Sequence, residues 1–303
     1  MNAVELDSVS KIFDGHRAVD ALSLAVPRGS IYGFIGPNGS GKTTTLRMIM
    51  SILYPDSGAI RVFGEQRGPA HTKRIGYLPE ERGLYRMMKV RDVLRFLGRL
   101  NGGTEVGREV DHWLQRLELS AWADKKVEQL SKGMSQKVQF IAAVVHRPDL
   151  VILDEPFTGL DPVNADELQA AVLELRASGA TVIFSTHDMA TAENLCDFIC
   201  MIFRGRKVLD GTLDAIQDQY GSDTVRVRAE CDVAALEALP GIEHITDRGH
   251  LRELRLARGT DAQQVLAALA GRTRVSYFEL ARPSLHDIFV RIAGPAAEEA
   301  DRA

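Results

Sequence analysis

Gly36-Pro-Asn-Gly-Ser-Gly-Lys-Thr43 is the stretch that decides how this chain is read. Four residues separate Gly36 from Gly41, and Lys42 and Thr43 follow at once, the spacing G-x-x-x-x-G-K-[ST] of a phosphate-cradling loop. Glycines at these positions let the backbone turn tightly and aim its N–H groups at phosphate oxygens. The flanks supply the context the motif needs. Ile31-Tyr-Gly-Phe-Ile35 reads as a short buried strand, and Thr43–Leu53 reads as a helix whose positive end faces the same phosphates. Gly36, Pro37, Asn38, Gly39, Ser40, Gly41, Lys42, Thr43 and Thr44 are therefore the candidate ligands of a nucleotide triphosphate. Lys42 is expected to reach the β- and γ-phosphates, and the Thr43 hydroxyl to bind Mg²⁺.

Downstream, Leu150-Val-Ile-Leu-Asp-Glu155 is an apolar run ending in two carboxylates. A run of this kind suits a strand buried on both faces of a parallel sheet. Asp154 is expected to support Mg²⁺, and Glu155 to orient and polarise an attacking water. Hydrophobic residues followed by Asp-Glu are a weak signal alone, and the loop at Gly36–Thr43 is what gives them meaning. Strand and helix patterns alternate around these motifs, with a helix over Val163–Ala177 and strands over Thr181–Phe184 and Phe198–Phe203. The order predicts an α/β domain with a largely parallel sheet over residues 1–215. Between about 90 and 147 only helices are expected, over Val90–Arg99, Glu105–Leu119 and Met134–His146, which makes this stretch a helical insertion.

Residues 216–303 change character. Helix Leu213–Tyr220 leads into a strand over Thr224–Arg228, a helix over Val233–Leu239 and strands over Ile242–Thr246 and Leu251–Leu256, with a turn at Asp247-Arg-Gly249. A helix over Asp261–Ala270 and a strand over Thr273–Leu280 complete a βαββαβ order. That order predicts a small α+β accessory domain, ferredoxin-like, with a terminal helix over Ser284–Ile292 and a frayed tail from Gly294.

Composition removes other classes. With 45% hydrophobic and 26% charged residues, the 303-residue chain can bury a core, so it is not a disordered protein. Its apolar runs fall short of the roughly 20 residues a spanning helix needs. The opening MNAVELDSVSKIF is acidic and mixed, unlike a signal peptide. Cys196, Cys200 and Cys231 form no CxxC and fit a reduced, cytosolic setting. The net charge of −4 gives no reason to expect nucleic acid as a partner.

From about Val4 to Asp210 the chain resembles the ATP-binding subunit of ABC transporters. Leu130-Ser-Lys-Gly-Met134 matches the family's signature segment, with Lys132 and Met134 replacing the usual glycine and glutamine. Ser131 and Gly133, which contact the γ-phosphate in the family, are kept. Gly159-Leu-Asp161 matches the D-loop, His187 the switch histidine, and Phe13 the aromatic residue that stacks on adenine. Glu80 stands where most of the family has a glutamine that helps bind Mg²⁺, and a carboxylate is a hard oxygen ligand able to do so. The stretch Gly76-Tyr-Leu-Pro-Glu-Glu-Arg-Gly-Leu-Tyr85 and the C-terminal Arg282-Pro-Ser-Leu-His-Asp-Ile-Phe-Val290 resemble the sodium-extrusion and related ABC-2 type exporters.

The resemblance implies a P-loop ATPase of ABC type using ATP and Mg²⁺, with Lys42, Glu155 and His187 as its catalytic residues. In the family the signature of one cassette closes over the ATP of another, so one chain lacks a complete hydrolytic site, and a homodimer would supply two by two-fold symmetry. A motor without a membrane span implies a separate integral-membrane permease. The chain would then be cytoplasmic, peripheral on the inner face of the membrane. The expected docking face is the helical insertion with the Glu80–Tyr85 loop, where Leu84, Tyr85, Met87 and Met88 either receive the permease or pack internally. Two other classes compete: a non-transport ABC ATPase of translation or repair type, and a nucleotide-binding regulatory module without turnover. The single cassette argues against the first, and Lys42, Glu155 and His187 against the second.

Overall fold

A computed structural model of the chain describes residues 1–66, 73–81, 83–220, 224–247, 249, 251–257 and 259–300. Arg82 of the 76–85 stretch, Arg248 of the expected turn and the tail residues 301–303 lie outside the described residues. The chain forms two compact units, Met1–Thr212 and Leu213–Ala303.

The first unit begins with the antiparallel strands β1 (Asn2–Phe13) and β2 (His16–Pro27). Then come β3 (Ile31–Ile35), α1 (Lys42–Ile49), β4 (Ser57–Val62), β5 (Glu65–Gln66) and β6 (Ile75–Leu78). The helices α2 (Val90–Leu100), α3 (Val106–Arg116) and α4 (Lys132–Val144) follow. The rest is β7 (Leu150–Asp154), α5 (Pro162–Ala177), β8 (Thr181–Thr186), α6 (Met189–Leu195), β9 (Phe198–Phe203) and β10 (Arg206–Gly211). Among the described residues the strands form two sheets, ordered β2-β1-β4-β5 and β10-β9-β3-β8-β7-β6. In the second sheet the pairs β3–β8, β3–β9, β7–β8 and β6–β7 are parallel, as expected, and β10 is added antiparallel at one edge. Neither β1 nor β2 is among the expected strands. Their pairing is broken by repeated register shifts, with Ser8 and Asp14 at positive φ, so the period of two that marks a strand is interrupted.

The central strands divide their side chains between two cores. Tyr32, Phe34, Leu150, Ile152 and Ile183 point to the side holding β1, β2 and α1. Ile31, Val151, Leu153, Val182 and Phe184 point to the side holding α2 to α5. Successive residues face opposite sides of a sheet, so a run apolar at every position is what two covered faces require. Local caps set the helix starts. Ser131 accepts from the Met134 N–H, so α4 begins two residues before the expected Met134. Asp161 accepts from the Asn164 N–H, and Pro162 opens α5.

The second unit comprises α7 (Leu213–Tyr220), β11 (Thr224–Ala229), α8 (Val233–Glu237), β12 (Ile242–Asp247), β13 (Arg252–Leu256), α9 (Ala262–Ala270), β14 (Val275–Ala281) and α10 (Leu285–Ala300). The antiparallel sheet runs β12-β13-β11-β14, the strand order of a ferredoxin-like sandwich. One face is apolar, with Val225, Val227, Leu254 and Leu256 packed against Leu236, Val265 and Leu269. The tail expected to fray from Gly294 is instead helical through Ala300, as part of α10.

Among the described residues no helix is long and apolar enough to cross a membrane. Burial pushes the Cys196 and Cys200 thiols well above their usual range, which leaves both unreactive.

Candidate active site

The site lies at the carboxyl ends of β3, β7 and β8, where parallel sheets of this kind open their binding crevice. The chain leaves β3 at Ile35 and turns through the glycines into α1. Gly36 has φ 150° and Gly41 φ 106°, conformations that side chains rarely adopt. A Cβ at Gly36 would lie 2.2 Å from the Ile202 carbonyl oxygen, and one at Gly41 would lie 2.4 Å from that of Ala18. Both positions therefore demand glycine twice over, by dihedral angle and by space. Gly41 caps α1 with no side-chain hydrogen bond, so the first N–H donors of the helix remain for an external acceptor.

Lys42 folds back under this loop, donating to the carbonyl oxygens of Gly36 at 2.7 Å and Pro37 at 3.1 Å. Its ammonium is only 6% exposed and stands 3.9 Å from Glu155 Oε1. Burial pulls its pKa below the usual lysine value, while the carboxylates of Glu155, Asp154 and Glu80 act in the opposite direction.

Two neighbouring carboxylates end β7. Asp154 is buried, and its Oδ1 accepts from Thr43 Oγ1 at 3.2 Å and from Ser185 Oγ, while its buried Oδ2 has no hydrogen-bond partner among the described residues. A buried, unpaired carboxylate oxygen is costly unless something binds it. Glu155 sits at φ 50° and donates its N–H to Ser185 Oγ at 3.0 Å. Its side chain accepts from Thr158 Oγ1 at 2.8 Å and lies 3.1 Å from His187 Nδ1 through both oxygens.

A cavity of about 480 Å³ gathers Asn38, Gly39, Ser40, Gly41, Lys42, Thr43, Thr44, Glu80 and Glu155. A smaller one, about 210 Å³, is lined by Glu80, Lys132, Asp154, Glu155 and Thr158 among others. The sequence therefore anticipated most of the first lining. Phe13 is not in it. Phe13 pairs with His16 across the β1–β2 hairpin, and it is His16, with Ala18, that lines the cavity. Ser131 and Gly133 stand apart, at the N-terminus of α4. Ser185 and Thr158, which grip the two carboxylates, were missed, because an isolated serine or threonine carries no motif. Roomier clefts, about 540 Å³ beneath α3 and about 600 Å³ in the second unit, contain none of these residues.

Over 295 residues, 97% of this chain and 99% of its own, an uncharacterized ABC transporter ATP-binding protein YhaQ of Bacillus subtilis is 42% identical. The chain belongs to the ABC transporter ATP-binding proteins. The ABC transporter family profile matches residues 19–158, and that of the ATP-binding protein DrrA1-3-like C-terminal domain matches residues 211–293. A Nod factor export ATP-binding protein I of Paraburkholderia xenovorans is 37% identical over 96% of this chain and 97% of its own. Among solved structures, an ATP-binding subunit of an ABC transporter aligns with TM-score 0.68 at 33% identity, covering 72% of this chain and 93% of that one. A nucleotide-free ABC cassette aligns with TM-score 0.65 at 25% identity, covering 72% and 94%. As a member of this family, the chain is an ATP-binding ATPase subunit of an ABC transporter, built on a P-loop α/β fold with an added C-terminal unit.

Proposed function

We propose that the chain powers export through a separate integral-membrane permease, working as one of two identical cassettes that close on ATP and reopen after hydrolysis. The carrying observation is a separation within one chain. Lys42 and Glu155 share one cavity, while Ser131 and Gly133 belong to the N-terminus of another helix and line no part of it. Ser131 and Gly133, outside their own chain's P-loop cavity, are then available to a second copy's nucleotide, and two-fold symmetry completes both sites. The direction of transport rests on the full-length likeness to a Nod factor export ATP-binding protein.

The geometry supports a role for each residue. The glycine loop and Lys42 bind the phosphates, with the Lys42 ammonium exchanging its two backbone carbonyls for phosphate oxygens. Thr43, Asp154 and Glu80 would hold Mg²⁺. The unpaired Asp154 Oδ2 fits a hard cation that prefers oxygen ligands. When bound, the ion neutralises charge on the β- and γ-phosphates. Glu155 polarises the attacking water, and His187 and Thr158 fix its carboxylate.

The docking face is the groove of about 500 Å³ along α2, lined by Asp92, Arg95, Phe96, Arg99 and Leu100. Of the four apolar residues considered for it, Leu84 and Met88 pack against the core, whereas Tyr85 and Met87 are exposed. Tyr85 meets Phe96 edge-on at 5.8 Å, so the exposed apolar surface is continuous with the groove. A permease seated here would place the cassettes on the cytoplasmic face of the membrane.

Glu155→Gln tests this reading. ATP turnover should fall about 10²- to 10⁴-fold, the usual worth of a general base, while ATP drives the variant into a stable dimer seen by sedimentation. A variant that stays monomeric at saturating ATP and Mg²⁺ contradicts the paired-cassette mechanism.

A further inference from the structure

Tyr77 carries a polar atom that its packing does not explain. Its ring lies against the core that holds Leu46, Met48 and Ile49 of α1 and Ile152 of β7. Its hydroxyl oxygen is buried and has no hydrogen-bond partner among the described residues. A buried hydroxyl left unmatched destabilises a fold, and a phenylalanine of the same shape would avoid that cost.

The sheet register identifies what stands near this hydroxyl. β6 runs parallel to β7, with Tyr77 paired to Ile152. Side chains alternate between faces, so Asp154, two residues past Ile152, leaves the sheet on the face shared by Ile152 and Tyr77. The Thr43 hydroxyl, on α1, reaches Asp154 Oδ1 from this same side. With strands about 4.8 Å apart and a rise of about 3.3 Å per residue, the Cα atoms of Tyr77 and Asp154 lie about 8 Å apart, within reach of a side chain as long as tyrosine. The electrostatics agree. Burial raises the Tyr77 pKa, the Asp154 carboxylate adds to that, Arg47 of α1 pulls it down, and Glu80 raises it further. The Arg47 guanidinium therefore stands close by, although no hydrogen bond of good geometry joins it to the hydroxyl.

Two unmatched atoms thus share one face of the sheet, and they are complementary. Tyr77 Oη has a proton to give, and Asp154 Oδ2 can only accept. They are not in hydrogen-bond contact, and a water between them would find Tyr77 Oη, Asp154 Oδ2 and the Arg47 guanidinium as partners, enough to hold it. Tyr77 lines neither of the two cavities at the site, so it acts on a ligand there only through another residue.

We propose that Tyr77 is a positioning residue of the cation site: one bound water joins its hydroxyl to Asp154 Oδ2 and fixes the carboxylate in the orientation that receives Mg²⁺. This rests on the reading of Thr43, Asp154 and Glu80 as the Mg²⁺ ligands given above. A carboxylate oxygen has two lone pairs, so Asp154 Oδ2 can take this bond and still face the ion. Groups that hydrogen-bond a metal's carboxylate ligand set its orientation, and losing one costs roughly 10- to 100-fold in metal affinity.

The test uses the full chain carrying Glu155→Gln and saturated with ATP, with Mn²⁺ as the probe and free Mn²⁺ read by electron paramagnetic resonance. Tyr77→Phe removes one oxygen and keeps the ring. It should weaken Mn²⁺ binding about tenfold, while ATP binding in EDTA stays unchanged. Asp154→Asn should weaken Mn²⁺ binding at least as much. In the Asp154→Asn background Tyr77→Phe should then cost less than about twofold, because the carboxylate it positions is gone. An equal loss in both backgrounds, or a matching loss of ATP binding in EDTA, makes the hydroxyl merely structural and overturns the proposal. Mn²⁺ binding unchanged by Tyr77→Phe but weakened by Asp154→Asn overturns it too, with the cation-site reading intact. If Asp154→Asn binds Mn²⁺ as tightly as its parent, both readings fall.

Discussion

Two helices of the first unit begin in opposite ways. At α1 the cap is a left-handed glycine without a side-chain bond, and Lys42 is buried and already satisfied by backbone carbonyls. At α4 the cap is Ser131, and the adjoining Lys132 is exposed and unpaired among the described residues. Under the proposed pairing, the contrast separates a self-contained end from one that is completed by a second copy. The α1 end has its loop, its lysine and two carboxylates in one cavity, so it needs only a ligand. Ser131 and Gly133 at the α4 end line no part of that cavity, and in the proposed pair they serve the other copy's nucleotide.

The largest expected effect falls on the self-contained end. Lys42→Ala should weaken ATP binding to the monomer about 100-fold, as expected for removing a buried charge-assisted phosphate contact, and equilibrium titration with labelled ATP would show it. Unchanged affinity would mean that the loop binds something else. At the incomplete end the effect should divide differently. Ser131→Arg should leave monomer ATP binding within about twofold but abolish ATP-driven pairing of a Glu155→Gln chain, since contacts to separate surfaces are independent. If that double variant still pairs, the two ends are not complementary.

The smallest effect lies outside both ends. Burial lowers the pKa of His146 from its ordinary 6.5, against a weaker pull from the Ile75 backbone. The unfolded chain then binds more protons than the folded one, so stability is full above pH 6.5 and falls as pH drops through the depressed value. The wild-type melting temperature should fall more steeply from pH 7.5 to 5 than that of His146→Gln. At about 2–4 °C per kcal/mol for a domain of this size, thermal scans would resolve the difference. Parallel curves would mean that His146 does not titrate with folding.

The site was legible where chemistry imposes a contiguous pattern. Gly36–Thr43 must be contiguous because successive backbone N–H groups do the binding, and Asp154–Glu155 because both must stand at one strand end. Ser185 and Thr158 were not legible. Each acts through a hydroxyl brought in from another element, and nothing in their neighbourhood along the chain marks them. Phe13, placed by its order along the chain, lies exposed on the hairpin opposite His16, which lines the cavity. The order of β11 to β14 was readable because each strand has an apolar face, whereas β1 and β2 were lost to bulges that break the alternation.

By itself, the sequence determined that a triphosphate-binding loop and a carboxylate pair sit on a parallel α/β sheet, because both motifs are local and their spacing is set by backbone geometry. Only the tertiary structure decided which hydroxyls hold those carboxylates and that Lys42 turns inward. Those facts depend on which distant segments the packed cores bring together, and no local pattern carries that information.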